Sequence, residues 1–161
     1  MAIDEIAIKI DYLKNHPHKI NDLAQIWLDE LGKVWCPEVE LAQVRSKFEV
    51  HLNSEYLPIS KVAFINDKIV GMCCLRVNDG VREDLTPWLG GLVITKSYQG
   101  QGLGKMLIES MKADVKRLGF SSLYLLTFDP TLPNYYRRLG WEEIEKNTLL
   151  GKPVTIMNAI L

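Results

Sequence analysis

The sequence predicts an α/β (α+β) protein, a mixed β-sheet with helices on both faces. Three observations carry that prediction. Seven short stretches show the alternation or continuous apolar runs of strands, three longer ones keep helical spacing, and a short fourth helix lies late in the chain. Two of the early strands meet at hairpin chemistry, which pairs them antiparallel. Further on, the apolar run Trp88–Ile94 passes through a glycine-rich turn into a helix and then another strand, the pattern of a parallel crossover.

Taken in order, Ile3 to Ile10 alternates apolar and polar residues and reads as the first strand, broken at Asn15-His16-Pro17-His18. From Ile20, the set Leu23, Ala24, Trp27, Leu28 and Leu31 follows helical spacing, with Gly32 at the stop. After the turn Trp35-Cys36-Pro37-Glu38, residues Leu41, Val44, Phe48 and Leu52 mark a second helix, and Tyr56-Leu57-Pro58 closes the pair. Lys61–Ile65 and Ile69–Val77 are strands joined at Asn66-Asp67-Lys68, and residues 78–87 form a polar loop ending in Pro87. Beyond the strand at Trp88, a helix has Leu103, Leu107, Met111, Val115 and Leu118 on its apolar face, and Gly119 stands at its C-cap. Leu123–Thr127 is a short buried strand. Pro133–Leu139 is a short helix ending at Gly140, Trp141–Glu145 is extended, and Lys152–Ile160 is the last strand. The order is β-α-α-β-β-β-α-β-α-β-β. With no repeat or linker in view, one domain over residues 1–161 is expected.

Composition narrows the function classes. At 47% hydrophobic and 24% charged residues, with a net charge of −1, the chain has the balance of a globular protein. That charge argues against general binding to nucleic acid or to an anionic membrane. No apolar run approaches the ~20 residues of a membrane span. The start, Met1-Ala2-Ile3-Asp4-Glu5, is acidic and unlike a secretory signal. Cys36, Cys73 and Cys74 have neither metal-ligand nor disulfide spacing, so reduced thiols, no metal and a cytoplasmic setting are expected.

The chemistry concentrates in Gln99-Gly100-Gln101-Gly102-Leu103-Gly104-Lys105. A glycine-rich turn feeding a helix N-terminus suits an anion, because free amides and the helix dipole face it together. Walker A spacing fails, since Met106 follows Gly104-Lys105 and Gln99 holds the first glycine position. The alternate glycines also fit the G-x-G-x-x-G dinucleotide fingerprint poorly. Gln/Arg-x-x-Gly-x-Gly/Ala fits well. Downstream, the strand Leu123–Thr127 is followed by Tyr135-Tyr136-Arg137-Arg138-Leu139-Gly140-Trp141.

These two blocks together resemble the GCN5-related N-acetyltransferase (GNAT) family. The close likeness covers residues 88–141, and the strand order extends it across the chain. The resemblance implies transfer of an acetyl group from acetyl-CoA to a primary amine of a small molecule or peptide, without a covalent enzyme intermediate. It implies that amides from Gln99, Gly100, Gln101, Gly102, Leu103, Gly104 and Lys105 hold the CoA pyrophosphate. The backbone of Leu92, Val93 and Ile94 would hold the pantetheine arm, in a strand that parts from its neighbour, and Gly90-Gly91 suits a bulge there. Tyr136 falls at the general-acid position, protonating the leaving thiolate. Family members often have an asparagine where this chain has Asp129, and Asn134 stands nearby as a candidate CoA contact.

Trp88–Ile94 has no acid to serve as a base, which leaves Glu83 and Asp84 in the preceding loop as candidates. The helices over residues 19–53 and the loop 78–87 would line the acceptor side, with Trp27, Trp35 and Trp88 as a possible aromatic wall. Family members often dimerise, so a homodimer is a further implication. Two alternatives remain at this stage. One is an acyl-carrying nucleophile at Cys73 or Cys74. The other is a CoA-binding sensor of the same fold that has lost catalysis.

Overall fold

The computed structural model describes residues 7–161. The strands are β1 (Ile8–Tyr12), β2 (Ile59–Ile65), β3 (Lys68–Arg76), β4 (Trp88–Ile94), β5 (Ser122–Thr127), β6 (Glu142–Leu149) and β7 (Lys152–Ile160). The helices are α1 (Ile20–Trp27), α2 (Leu41–Glu49), α3 (Leu103–Arg117) and α4 (Leu132–Arg138). The expected order is present. The strands form a seven-stranded sheet in the order β1-β2-β3-β4-β5-β7-β6, antiparallel at β1–β2, β5–β7 and β6–β7 and parallel at β4–β5. Of the first expected strand, Ile3–Ile6 lie outside the described residues, and β1 runs on to Tyr12.

The chain divides into two compact units made of interleaved segments, so that β3, β4 and α3 each give residues to both. The first unit holds the segment up to Cys74 and Gly91–Ser110. Its core joins Leu23 and Ala24 of α1, Val44 and Phe48 of α2, and Val62, Phe64, Met72 and Val93 of the strands. Nearly every residue of β2 is buried, and β3 is buried from Ile69 to Leu75, the signature of strands covered on both faces. Between them, Asn66 and Asp67 have φ of 49° and 68°, the two left-handed residues of a type I′ hairpin loop.

Gly32 does not stop the first helix. Its backbone stays helical at φ −59°, inside a π-helical turn at Leu28–Gly32 that leads into a last turn at Lys33–Trp35. Space is tight here, since a Cβ would lie 3.1 Å from both Leu28 and Trp27 side-chain atoms. The stop falls at Cys36, whose backbone leaves the helical region at φ −143° and ψ 68°, where the ring of Pro37 disfavours helical backbone.

The second unit holds Leu75–Gly90 and Met111–Leu161. Val81, Trp88 and Ile156 form a cluster there with Leu85, Tyr124, Leu126 and Leu149. The sixth strand reaches further than the extended Trp141–Glu145 that was expected, from Glu142 to Leu149, and turns into β7 through Leu150-Gly151 with φ of 51° and 76°. The sequence hides this hairpin because leucine is rarely a left-handed turn residue.

Candidate functional site

The first unit builds the glycine-rich turn. Gly71 in β3 sets its base, since a Cβ there would lie 2.9 Å from Ile94, 3.1 Å from Leu107 and 3.3 Å from the Val93 carbonyl. β4 and the start of α3 can therefore pack on β3 only over a bare backbone. Beyond β4, the Thr95 amide donates to the Val70 carbonyl (3.0 Å), and one tight turn follows at Lys96–Tyr98. Gln99 then ties the turn back, its Nε2 donating to the Ile94 carbonyl at 2.9 Å. Its side chain is thus a brace for the loop.

Gly100 and Gly102 take φ of 75° and 88°, with nothing within 4 Å of where a Cβ would stand. Their glycine character answers backbone conformation rather than close packing, and the space beside each is open. Gln101 donates weakly to the Ser97 carbonyl (3.4 Å), while its Oε1 is buried without a partner. The first helical bond runs from the Met106 amide to the Gly102 carbonyl (3.1 Å). Amides from Gly102 to Lys105 head the helix, where no intrahelical acceptor exists for them. Leu103, Leu107, Ile108, Met111 and Val115 are buried and fix the helix by its apolar face; Lys105 is exposed. Among these, Leu92 and Ile94 are half-buried and Val93 is buried. Bare backbone, two left-handed glycines and a helix start follow one another here within six residues, Gln99 to Gly104.

The second unit holds Tyr136, 7% exposed on α4. The spacing Tyr-x-x-x-Gly-Trp has a physical origin in the end of that helix. Gly140 has φ 93°, its amide donates to the Arg137 carbonyl (3.0 Å), and the Trp141 amide donates to the Tyr136 carbonyl (3.1 Å). This is a Schellman motif, and its hydrophobic contact is Tyr136 against Trp141, with ring centroids 5.9 Å apart. Tyr135 lies edge-on to Tyr136 at 5.2 Å, and burial pushes its hydroxyl above the ordinary tyrosine range. Lys112 Nζ stands 5.5 Å from the centroid of Trp141, covering its face.

The start of α4 is held by Asp129, whose Oδ1 accepts from the Thr131 amide (2.8 Å) and hydroxyl (2.7 Å). The backbone bond is the main reason its carboxyl sits below the ordinary range. Asn134 is exposed, and its Oδ1 accepts from Arg137 Nη1 at 2.7 Å.

Asp84 is gripped by Arg82, Nε to Oδ1 at 2.9 Å and Nη2 to Oδ2 at 2.7 Å, and those bonds hold its carboxyl below the ordinary range. Arg82 also binds Glu145 of β6, and both partners raise its pKa. Glu83 is exposed. Trp88 is fully buried, its Nε1 donating to the Leu85 carbonyl, so it belongs to the core of its unit rather than to an exposed wall.

Sequence reasoning missed Asp79. Its Oδ1 accepts from Arg76 Nη1 (2.9 Å), and the pair lies against Gly90: a Cβ there would be 2.8 Å from Arg76 Nη1 and from Asp79 Oδ2. The only sequence signal is Gly90 itself, a strand glycine that marks close approach. Cys73 and Cys74 are fully buried. The Cys74 thiol meets Ser60 Oγ at 3.1 Å, which meets His51 Nδ1 at 2.8 Å, a polar chain sealed inside the first unit.

The pattern of the acetyltransferase (GNAT) family matches residues 20–141. A GNAT acetyltransferase structure from Staphylococcus aureus Mu50 is similar at TM-score 0.74 and 19% identity, covering 96% of this chain and 99% of that one. An aminoglycoside 6'-N-acetyltransferase complexed with coenzyme A is similar at TM-score 0.71 and 18% identity, covering 94% and 96%. An uncharacterized N-acetyltransferase from Chlorobaculum tepidum is 22% identical over 85 residues, 53% of this chain; the match spans half the length of that relative. At these identities the structural likeness speaks for the fold, while the family pattern covers most of the chain. The chain belongs to the GNAT acetyltransferase family.

Proposed function

We propose that the protein moves an acetyl group from acetyl-CoA to a primary amine by direct attack, with Tyr136 as general acid. The observation that carries this reading is the open turn at Gly100 and Gly102, whose left-handed backbone leads into the start of α3. The amides of Gln99 to Lys105 hold the pyrophosphate, and the backbone of Leu92, Val93 and Ile94 holds the pantetheine arm as an added strand would. Attraction between an anion and a helix terminus is worth about 0.3–1 kcal/mol when exposed and up to ~2 when partly buried. Direct hydrogen bonds therefore carry most of the binding. Asn134 Oδ1 accepts from Arg137, which leaves its Nδ2 donors for a contact to the coenzyme.

Bound acetyl-CoA supplies a thioester carbonyl open to attack. The amine lone pair attacks that carbon, the C–S electron pair moves to sulfur, and the surplus proton on nitrogen leaves to solvent. A coenzyme thiolate resembles a cysteine thiolate, with pKa about 8.5, so a tyrosine of pKa about 10 can protonate it as it departs. The buried positions of Cys73 and Cys74 support direct transfer over an acyl-thiol intermediate. Asp84 is a poor proton acceptor while Arg82 grips both its oxygens.

The test measures acetyl-CoA binding and amine-dependent thiol release for the wild type and Tyr136→Phe. A kcat loss of roughly 10²–10⁴-fold with unchanged acetyl-CoA affinity supports the acid role. Equal rates, with the same alkaline limb in the pH profile, remove it. Binding of acetyl-CoA without release by any amine favours the sensor.

A further inference from the structure

We propose that the glycine-rich turn carries a cationic rim that reads the third phosphate of its coenzyme, the 3'-phosphomonoester of acetyl-CoA. Lys68, standing over Tyr98, is its chief contact, with Lys96 and Lys105 beside it. The inference rests on the acetyl-CoA reading and adds to it discrimination between the coenzyme and its 3'-dephospho form.

Lys68, Lys96, Tyr98 and Lys105 all belong to the first unit. Lys68 opens β3. Two residues further on, the Val70 carbonyl accepts from the Thr95 amide at 3.0 Å and from its hydroxyl at 3.4 Å, so the start of β3 lies against the end of β4. That register brings Lys68 to the turn at Lys96–Tyr98, where its Nζ stands 6.0 Å from the centroid of the Tyr98 ring. Tyr98 leads directly into Gln99 and Gly100. An ammonium held over a ring keeps its N–H donors largely for other partners. Lys96 lies in the same turn and Lys105 in the first turn of α3, and all three lysines are exposed.

The charge around the turn is one-sided. Residues 85–108 contain no Asp or Glu. Lys9, Lys19 and Lys146 each face a carboxylate, whereas among the described residues none pairs with Lys68, Lys96 or Lys105. Asp67, the acid next to Lys68, is engaged by Lys19, whose Nζ lies 3.5 Å from its Oδ2 and 2.8 Å from its carbonyl oxygen. Cations of one sign around a binding turn draw in an anion and raise its local concentration. A phosphomonoester carries about −1.5 to −2 charges at pH 7 and offers several acceptor oxygens. In acetyl-CoA that group sits on the ribose whose 5' carbon carries the pyrophosphate. A pyrophosphate held by the amides of the turn therefore delivers the monoester to its rim. Lysine, a point charge on a flexible stem, suits an exposed phosphate that can be met from several directions.

Isothermal titration of the full chain compares acetyl-CoA with 3'-dephospho-acetyl-CoA for the wild type, Lys68→Met, Lys96→Met, Lys105→Met and Lys68→Arg. The wild type should bind acetyl-CoA at least about fivefold tighter than the dephospho form. Exposed charge pairs contribute modestly, so Lys68→Met should cut that ratio about two- to fivefold, and Lys96→Met and Lys105→Met by no more than that. Lys68→Arg should keep the ratio, because charge is what the rim supplies. Equal affinity of the wild type for the two forms overturns the inference and leaves the acetyl-CoA reading standing. A Lys68→Met variant that weakens both forms by the same factor overturns it too, since that marks a disturbed turn rather than a lost phosphate contact. If the wild type binds neither form, the acetyl-CoA reading falls with it.

Discussion

At Gly100 and Gly102 the backbone is left-handed, and no neighbouring atom crowds the space a Cβ would take. Alanine at either place meets no clash, but an L-residue in that conformation costs about 1–2 kcal/mol. The loop can relieve that strain by leaving its left-handed shape, which would displace its amides. Gly100→Ala and Gly102→Ala should therefore each weaken acetyl-CoA by roughly 5- to 30-fold in isothermal titration, with little change in Tm. Asp11 offers a residue-scale prediction of another kind. Burial raises its pKa, but hydrogen bonds from the Asn15 side chain, from His16 and from the Tyr12 amide outweigh it and hold the carboxyl below its ordinary value. A carboxyl lowered in the folded state stabilises it above its unfolded pKa, and that contribution is lost as pH falls through the folded value. The Tm deficit of Asp11→Asn should thus be full at pH 7 and shrink steadily below about pH 4. The glycines were legible in the sequence because the constraint is local to each residue. Asp79 was not, because nothing in a run of polar loop residues tells which carboxylate the fold lays over Gly90.

Helix ends show how elements carry the site. The α4 terminus joins Tyr136, Gly140 and Trp141 in one capping motif, so the glycine that ends the helix also fixes the backbone next to the proposed acid. Gly140→Ala should cost about 1–2 kcal/mol from its φ of 93° alone. It should also lower kcat more than it raises the KM for acetyl-CoA, which steady-state kinetics would resolve. α3 ends the same way: the Gly119 amide donates to Lys116 and the Phe120 amide to Val115. At the other contact, Gly71→Val would drive a branched side chain into Ile94, Leu107 and the Val93 carbonyl. A loss of about 1–3 kcal/mol from overpacking is expected in urea unfolding. Strong periodicity made most elements readable, since apolar spacing over a long helix such as Leu103–Arg117 admits one face only. Two limits came from tertiary context. Gly32 reads as a stop but lies within a continuing helix, and Leu150 takes a turn conformation that leucine seldom adopts.

For the whole molecule, the strand order follows chain order from β1 to β5, with β4 and β5 parallel, and then departs from it: β7 lies between β5 and β6, antiparallel to both. Hairpin chemistry and the glycine-rich crossover made the mixed sheet accessible before any coordinates, but not the insertion of β7 between β5 and β6. The acceptor was not accessible, because no motif in the sequence belongs to it. Among the described residues no helix is long and apolar enough to cross a membrane. If the turn binds acetyl-CoA in the folded state only, ligand at a hundredfold its Kd should add about 2.7 kcal/mol of stability and raise Tm accordingly. The most direct test of the central claim is acetyl-CoA-dependent thiol release across a panel of polyamines, aminoglycosides, amino acids and peptide N-termini, with each product weighed by mass spectrometry. The account predicts that at least one cationic primary amine accelerates release and gains one acetyl group per thiol freed. Saturable acetyl-CoA binding with no amine acetylated anywhere in the panel would contradict it.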